Sequence, residues 1–560
     1  MDSRHRVKDA PRAWIRLGLV GSILVLSVFF VHVPAALWTS NAREFHFSID
    51  TVLELGLAMV AVGTAIFAAI LWRLPPRAQA VAASLAAALG IVVWTYGLVL
   101  VGSMQALDGN APLDFGRGPG AWELLLVVII GLALAAAARR WARAATSFLA
   151  FLNIGLVAVS LPAIAMAQRA NWKSSAQDAA SLFGFSPRTN VLVVLLDGLQ
   201  SDVAADLLEQ HPALRAAFVG FSFYPDTLGA APTTFLGLPA IHSGEVYTGS
   251  TTPAEYFTRA IATQSFVTRF AHAGYTAALV NPLQGICPAG TTACTAAAEI
   301  LGTASQQRWR ELLRLYDLSL FRIVPFRAKS WVWDRGQWRL SRHRGLSEEA
   351  ERVLDDVKVI RRIAKHLYLD PTSKPSLKII HSLATHTPYV MNEDCETVGA
   401  STIAKVATQA RCVLEATALL LHELRRIGVY DRTVILILAD HGLNAGVYSD
   451  TPASSADVWR RWTGSANPLF LFKPLDSRGP LRADTSAVSV VDAGATLCAA
   501  TSACATPTGI PAGQATDDRL RLFDDYVWRH GFWRTKTLPG ITYYQVRGPL
   551  SERESWQHVP

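Results

Sequence analysis

The hydrophobic pattern divides the chain near residue 170. Before that point, five apolar runs each approach the length of about 20 residues that a helix needs to cross a bilayer. We place these spans at Leu17–Trp38, Leu53–Trp72, Val81–Val101, Trp122–Ala138 and Phe148–Ala167. A cleaved signal peptide is the alternative for the first run, but more spans follow it and no clear small-residue cleavage site stands out. The pattern therefore predicts a transmembrane domain of five helices over residues 1–167.

Beyond a polar, serine-rich linker at residues 168–189, short apolar runs alternate with amphipathic stretches. Continuous apolar runs of strand length suit strands that are buried on both faces, and their alternation with helical patterns favours a mostly parallel sheet. Residues 190–560 are thus predicted to form an α/β domain with flanking helices and a C-terminal extension. The predicted strands are Val191–Leu196, Ala277–Val280, Leu377–His381, Val434–Leu438 and Pro468–Phe472, and the clearest helices are Ser347–Leu367 and Cys412–Ile427.

Basic residues flank the apolar runs unequally. They precede the first run and occupy the loops after the second and fourth, whereas the other two loops hold only Arg43 and Arg117 beside acidic residues. The positive-inside rule then places the N-terminus in the cytoplasm, so five spans put everything after about residue 168 on the outer side. The net charge of +8 is modest and much of it is this cytoplasmic-side arginine. It gives no indication of a nucleic-acid partner.

All six cysteines lie in the outer part of the chain and fall into three pairs that are close in sequence. Disulfides are expected in an oxidising compartment such as a periplasm. Spacing alone does not establish connectivity, and a zinc cluster is the competing interpretation, although no C-x-x-C spacing occurs. We predict the disulfides Cys287–Cys294, Cys395–Cys412 and Cys498–Cys504.

Two predicted strands end in potential metal ligands. Asp197 follows the first strand, and Asp440 and His441 follow the fourth; a glycine comes directly after each motif. Open α/β sheets build their sites beyond the carboxyl ends of such strands. Carboxylate and imidazole ligands suit zinc or manganese, so we expect a divalent metal here. A strand-ending aspartate in a turn, and an Asp–His pair in a structural turn, are the alternatives.

Two other segments of the chain contain candidates for a nucleophile and for a general acid. Thr227, Thr233 and Thr234 precede a helix-like run whose N-terminus would favour an anionic phosphate, and a metal would activate such a hydroxyl. The alternative is that one of them only caps the helix. His381 and His386 follow another strand, where one can bind substrate or a second metal and the other can serve as general acid; two structural histidines are the alternative.

With these motifs the chain resembles the alkaline-phosphatase/sulfatase superfamily. Within it, the chain is similar to the membrane-anchored phosphoethanolamine and phosphoglycerol transferases, including lipid A phosphoethanolamine transferases and lipoteichoic acid synthases. Their T-x-x-S-x-P pattern matches Thr234–Pro239, although Gly237 stands in place of the serine. Their strand-end acid, D-H-G and H-x-x-x-x-H-x-P motifs match residues 197, 440–442 and 381–388. Cys395 and Cys412 also resemble the transferase arrangement.

The resemblance implies a role for each matched residue. Thr234 would be the nucleophile and, with Asp197, Asp440 and His441, would bind the metal, while His381 and His386 would serve catalysis. The enzyme would sit in a bacterial inner membrane with its catalytic domain in the periplasm. It would move phosphoethanolamine or phosphoglycerol from a phospholipid donor to an envelope glycan or glycolipid, such as lipopolysaccharide.

The chain also departs from the lipid A members of this group. No cysteine lies near Thr234, Leu443-Asn444 replaces the Glu-Ser of their D-H-G-E-S motif, and residues 442–475 contain no histidine. A permanent second zinc site and lipid A as acceptor therefore do not carry over. The C/S-x-P-x-R pattern of formylglycine sulfatases is absent around the threonine. A phosphodiesterase or phosphatase of the same fold, and a non-catalytic member that handles lipids, remain as alternatives.

Overall fold

A computed structural model describes residues 3–42, 45–100, 120–167, 179–342, 348–397, 401–402, 405–443, 463–504, 508–528, 532 and 535–559. The chain forms two compact units. The first comprises Met1–Lys173 with Ser305–Arg344, and the second comprises Ser174–Ala304 with Gly345–Pro560. Most of the predicted linker, residues 168–178, lies outside the described residues.

The first unit contains the five predicted apolar helices. The segments long and apolar enough to cross a membrane are Arg12–Ser40, Ile49–Arg73, Pro76–Val99, Trp122–Arg140 and Ala142–Met166. Large apolar side chains such as Leu57, Ile66 and Phe151 are exposed on them, as expected for faces that contact lipid. The helices of this unit are Ser3–Ser27, Val33–Ser40, Ile49–Arg73, Pro76–Trp94, Gly120–Arg140, Ala142–Ala167, Ala304–Ile323 and Phe326–Trp333, with single π-helical turns at Val28–His32 and Thr95–Val99.

Residues 305–344 belong to the first unit although they follow the first strands of the second unit in sequence. Leu315 and Trp38 are fully buried in one apolar cluster, and the Glu311 carboxylate accepts hydrogen bonds from the backbone N–H and the Nδ1–H of His46 at 2.8 and 2.6 Å. The boundaries drawn from the sequence assigned all of residues 190–560 to the second domain and did not include this return. An amphipathic helix has the same pattern whichever core it packs against.

The second unit contains a mostly parallel sheet of eight strands. Its order is β10-β3-β9-β8-β2-β7-β4-β5, in which β9 alone runs antiparallel to its neighbours. All described strands of the second unit, including those outside this sheet, are β1 Gly184–Phe185, β2 Asn190–Leu196, β3 Ser222–Phe223, β4 Thr276–Val280, β5 Ala293–Thr295, β6 Tyr368–Leu369, β7 Ser376–Ser382, β8 Thr433–Leu438, β9 Phe470–Lys473, β10 Arg482–Ala483, β11 Leu520–Asp525, β12 Thr542–Arg547 and β13 Trp556–Val559. The α/β architecture predicted from the sequence is confirmed.

Helices cover both faces of this sheet. Alternate residues of β2 enter different cores: Val191, Val193 and Leu195 pack in one, and Leu192 and Val194 pack in the other. Burial on both faces is the reason that the strand is apolar without alternation. The helices of the second unit are Ser201–Gln210, Pro212–Ala216, Thr234–Ser243, Pro253–Ala262, Phe266–His272, Ala297–Leu301, Glu348–Lys365, Val406–Arg426 and Ala493–Thr501, with single 3-10 turns at Leu283–Gly285, Val490–Asp492, Ala512–Gln514 and Arg553–Ser555; the 3-10 turn Asp334–Gly336 belongs to the first unit.

Disulfides and two small sheets complete the unit, and the smaller sheet is the parallel pair of β1 and β6. The three predicted pairs, Cys287–Cys294, Cys395–Cys412 and Cys498–Cys504, are all bonded. The C-terminal extension forms an antiparallel sheet in the order β11-β12-β13. The sequence analysis located this extension but predicted no strands in it.

Candidate metal and nucleophile site

The candidate site lies at the carboxyl ends of the three central strands, β8, β2 and β7. Asp197 directly follows β2, and its backbone N–H donates to the carbonyl oxygen of Ser382 at 2.9 Å. Asp440 follows β8, and His381 lies in β7 opposite Leu195. Since these strands are parallel and adjacent, their ends bring residues distant in sequence to one edge of the sheet.

Glycines permit the close approaches behind the site. Gly442 packs so tightly that a Cβ atom there would lie 2.0 Å from the carbonyl oxygen of Gly464. Gly198 has a positive φ of 74°, and a Cβ atom on it would lie 3.5 Å from the His441 ring and 4.0 Å from the His386 ring. Both turns therefore depend on the missing side chain.

Four side chains converge at distances that suit a single cation. Thr234 Oγ1 lies 3.1 Å from Asp197 Oδ2 and 3.2 Å from His441 Nε2. His441 Nε2 lies 3.6 Å from both Asp197 Oδ1 and Asp440 Oδ2. Tetrahedral ligands placed about 2.0–2.2 Å from zinc stand about 3.3–3.6 Å from one another. These separations of 3.1–3.6 Å are close to that spacing, and the buried residues Asp197, Asp440 and His441 each offer a ligand atom within 4.8 Å of the others.

The hydrogen bonding around these ligands leaves their inner atoms open. His441 Nδ1–H donates to the carbonyl oxygen of Gly442 at 2.7 Å, which turns Nε2 towards the site. Among the described residues, Asp197 Oδ1, Asp440 Oδ2 and His381 Nε2 are buried without a hydrogen-bond partner. Buried polar atoms normally have a hydrogen-bond partner, so several buried acceptors without one, close together, are what a cation site would show. The residues present therefore fit a divalent metal.

The electrostatics of the two carboxylates also favour a cation. Burial raises the pKa of Asp440, and the charge of Asp197 raises it further. Burial likewise opposes ionisation of Asp197, but the adjacent His381 imidazole and the other site histidines together hold the pKa of Asp197 below its usual value. Two buried carboxylates at one point repel each other, and a bound cation removes that repulsion.

Thr234 is the first residue of the helix Thr234–Ser243, and its hydroxyl is the one that reaches the ligand group. The other two threonines considered from the sequence have different partners. The Thr227 hydroxyl is buried and donates to the carbonyl oxygen of Tyr224 at 2.8 Å. The Thr233 hydroxyl forms a hydrogen bond with the hydroxyl of Tyr526 and does not cap the helix.

Gly237 explains why the family's serine is missing from this helix. A Cβ atom at this position would lie 2.8 Å from the backbone carbonyl oxygen of Asp440. The helix that carries Thr234 thus packs directly on the strand end that carries two predicted ligands. The absence of a side chain on Gly237 thus allows the helix that carries Thr234 to lie this close to Asp440.

The two histidines of the third motif occupy different environments. His381 is buried, and its Nε2 atom lies 3.5 Å from Asp197 Oδ2. Its Nδ1–H donates to the carbonyl oxygen of Asn281 at 3.1 Å, a contact that the sequence analysis did not identify. Burial disfavours the protonated form of His381, but Asp197 more than offsets this and raises the pKa of His381. His386 is half-buried, and its ring would lie 4.0 Å from a Cβ atom on Gly198, on the same turn that approaches His441.

Asn281 and Tyr526 are the neighbours of the site that sequence reasoning missed. Asn281 follows β4 and has a positive φ of 56°, and its side chain donates to Asp356 and to the His381 carbonyl oxygen at 2.8 and 3.2 Å. A polar residue directly after an apolar strand was an available signal for it. Tyr526 lies in the C-terminal extension, and no motif marks it.

Comparisons with known proteins identify a family for the second unit. A family model described as Sulfatase matches residues 189–503. The solved structures that are similar include a protein in the alkaline phosphatase superfamily from Vibrio parahaemolyticus, at 13% identity and a TM-score of 0.40 over 69% of this chain and 91% of that chain. They also include the lipoteichoic acid synthase LtaP from Listeria monocytogenes, at 10% identity and a TM-score of 0.39 over 69% and 90%. No curated protein matches significantly.

Proposed function

This chain belongs to the sulfatase family, and from that premise we propose that it is a membrane-anchored, metal-dependent transferase of phosphoalcohol groups. The observation that carries the proposal is the position of Thr234. Its hydroxyl begins a helix, where anions are favoured, and lies within 3.2 Å of both a carboxylate and an imidazole of the ligand group. A threonine there suits phosphoryl transfer, whereas formylglycine sulfatases carry a different pattern.

The residues divide the reaction between them. A divalent cation on Asp197, Asp440 and His441 would lower the pKa of the Thr234 hydroxyl and neutralise charge on the phosphoryl oxygens. Thr234 donates a hydrogen bond to Asp197 Oδ2, which orients its oxygen, and its proton passes to water because the pKa of Asp197 is held below its usual value. Thr234 Oγ then bonds to phosphorus while the bond from phosphorus to the diacylglycerol oxygen breaks. His386 gives the leaving oxygen its proton.

The second half of the reaction reverses these roles. The acceptor hydroxyl loses its proton to His386 and bonds to phosphorus, and the phospho-threonine bond breaks. The Thr234 oxygen recovers a proton from water. The acceptor is proposed to be an envelope glycan or glycolipid and the donor a phospholipid, since the apolar helices hold the enzyme at a lipid surface. We propose that the site faces the periplasm from a bacterial inner membrane, as the arginine distribution predicts.

The test uses the full-length protein in vesicles that contain zinc, phosphatidylethanolamine or phosphatidylglycerol, and an envelope glycolipid extract. Transfer predicts diacylglycerol and a glycolipid whose mass increases by one phosphoethanolamine or phosphoglycerol group. Release of the free phosphoalcohol with unmodified glycolipid would instead identify a hydrolase of the same fold. The absence of both products, with metal bound, would contradict an enzymatic role on phospholipids.

A further inference from the structure

Residues 305–342 of the first unit lie at one end of its apolar helices. The backbone N–H of Phe326 donates to one oxygen of the Glu123 carboxylate at 2.7 Å, and the Tyr96 hydroxyl donates to the other at 2.8 Å. The third apolar helix ends shortly after Tyr96, and the fourth begins at the residue before Glu123. Consecutive spans turn on the same side of a bilayer, so these contacts lie at the level of the lipid headgroups in either orientation.

The composition of this segment suits a headgroup layer. Residues 305–342 contain nine arginine and lysine residues but only three acidic ones. Trp331 of this segment and Trp122 at the start of the fourth apolar helix are 57% and 74% exposed, and the Arg339 guanidinium lies 4.9 Å from the centre of the Trp331 ring. Tryptophan is enriched where a membrane meets water, and basic side chains attract lipid headgroups. The segment therefore complements a layer of phospholipid headgroups.

Two cations of this segment, Arg322 and Lys329, come together at its turn. Arg322 lies in the last turn of the helix Ala304–Ile323, and Lys329 lies in the helix Phe326–Trp333. The Lys329 ammonium donates to the carbonyl oxygens of Phe321 and Arg322 at 2.5 and 3.5 Å, so it covers the end of the first helix. These bonds account for Lys329 as a helix cap. The Nε atom of Arg322, by contrast, is buried without a hydrogen-bond partner among the described residues.

The charges around this pair do not balance. Burial lowers the pKa of Lys329 to about 8, the Glu123 carboxylate raises it, and the Arg322 guanidinium lowers it again. Two cations thus stand against one nearby carboxylate, whose oxygens already accept the hydrogen bonds from Phe326 and Tyr96. Arg322 is half-buried, and a buried nitrogen without an acceptor is costly. An anion beside Arg322 and Lys329 would offset this cost.

We propose that Arg322 and Lys329 bind the phosphate of a phospholipid headgroup at this end of the apolar helices. The guanidinium is a planar fork of donors that matches phosphate oxygens. An ammonium has three donors, and Lys329 uses two of them on carbonyl oxygens. Phosphate is the anion that a phospholipid bilayer presents at this level. The site uses no residue of the candidate metal site, and it does not rest on the proposed transferase activity.

The test is a titration of the full-length protein in detergent with phosphatidylglycerol, in which native mass spectrometry follows the first bound lipid. Arg322→Gln removes the charge and should weaken the affinity for this lipid about tenfold or more, as expected for the loss of a charged hydrogen bond. Arg322→Lys keeps the charge but not the fork, so its affinity should be intermediate. Arg327→Gln is the matched control, because Arg327 is an exposed arginine of the same segment, and its affinity should stay within about twofold of the wild type.

Thermal melts separate a binding role from a structural one. Without lipid, Arg322→Gln should melt at the wild-type temperature or above it, because the change removes a half-buried charge whose Nε atom lacks a partner among the described residues. Phosphatidylglycerol should raise the melting temperatures of the wild type and of Arg327→Gln, and should raise that of Arg322→Gln less. A lower melting temperature of Arg322→Gln without lipid would assign Arg322 to the fold and overturn the proposal.

Three further results would overturn the proposal. Equal phosphatidylglycerol affinity in the wild type and Arg322→Gln would exclude the site. An equal loss in Arg327→Gln would show only the general attraction of a basic surface. Inorganic phosphate that displaces the lipid at similar concentrations would identify free phosphate as the ligand. Lipid that is retained by the wild type in excess inorganic phosphate, and lost from Arg322→Gln, would support the site.

Discussion

At the scale of single residues, the candidate site is defined by buried carboxylate oxygens that have no hydrogen-bond donor. Asp197 Oδ1 and Asp440 Oδ2 each lie 3.6 Å from His441 Nε2, and neither oxygen has a hydrogen-bond donor among the described residues. Such an arrangement is costly in the absence of a cation, because burial and mutual repulsion both oppose the charges. We therefore expect the affinity for a metal ion to fall when any one of these ligands is removed.

Removing one ligand charge tests the metal site. Asp440→Asn keeps the size of the side chain but replaces a charged ligand with a weak one. Changes to residues that only hydrogen-bond to a metal ligand cost about 10–100-fold in metal affinity. We therefore expect the zinc affinity of Asp440→Asn to fall by roughly 100-fold or more. Competition with a chelator measures this. Asp524→Asn is the control, because that carboxyl is also buried but lies outside the ligand group. Equal zinc affinity in Asp440→Asn and wild type would contradict the site.

Gly237→Ser introduces the residue that the transferases' T-x-x-S-x-P pattern has at this position, and we expect it to be harmful here. The added Cβ atom would lie 2.8 Å from the Asp440 carbonyl oxygen, so the Thr234 helix or the strand end must shift. We expect a loss of about 1–3 kcal/mol of stability and lower turnover. Gly513→Ser is the matched control, since nothing lies within 4 Å of a Cβ atom there. Wild-type melting and turnover in Gly237→Ser would show that the helix has more room than the structure gives it.

At the scale of elements, the positions of the central strands were predictable from the sequence, but the direction in which each strand runs was less so. The runs that became β2, β7 and β8 are apolar without alternation because both faces are buried, and that pattern is visible in the sequence. The Asp197 and Asp440 positions followed from the ends of such strands. The antiparallel direction of β9 was not predictable, since direction depends on the connection through space and not on composition.

The C-terminal sheet shows where local pattern stops being informative. Tyr526 and Asn281 reach the site through contacts across hundreds of residues or across sheet edges, and single residues of this kind carry no periodicity. Gly237 was visible as a departure from the family pattern, but its cause is a close approach to Asp440 that only coordinates reveal.

The disulfide between Cys395 and Cys412 offers a test at the scale of elements. It closes 17 residues and anchors the helix Val406–Arg426. Replacing both cysteines with serine should lower the free energy of unfolding of the second unit by about 3 kcal/mol, because the unfolded chain regains loop entropy. The same change at Cys498 and Cys504, which lie only 6 residues apart, should cost less. Denaturant titration measures both, and the reverse order would contradict the loop-entropy explanation.

At the scale of the whole molecule, the chain combines five apolar helices with a sulfatase-family domain. The division near residue 170 was evident from hydropathy alone, because residues that face lipid must be apolar over a whole span. The assignment of residues 305–344 to the first unit was not evident from hydropathy. The helices of this segment bury only one face, so their pattern resembles that of the helices in the α/β domain.

Orientation in the membrane can be tested independently of activity. The arginine distribution predicts a cytoplasmic N-terminus and an outer C-terminus. A reporter active only in the periplasm should therefore work when fused after residue 560, and a cytoplasmic fluorescent reporter should not. The opposite pattern would contradict both the predicted topology and the oxidising compartment expected for the disulfides.

The central claim is that Thr234 attacks phosphorus and becomes transiently phosphorylated. The most direct measurement is peptide mass spectrometry of the full-length, zinc-loaded protein after brief incubation with a labelled phospholipid donor and acid quenching. If the reaction follows the proposed covalent route, the wild type should carry the phosphoalcohol group on Thr234, and Thr234→Ala should carry no label and lose turnover while remaining folded. Label on another residue, or near-normal transfer by Thr234→Ala, would contradict the account.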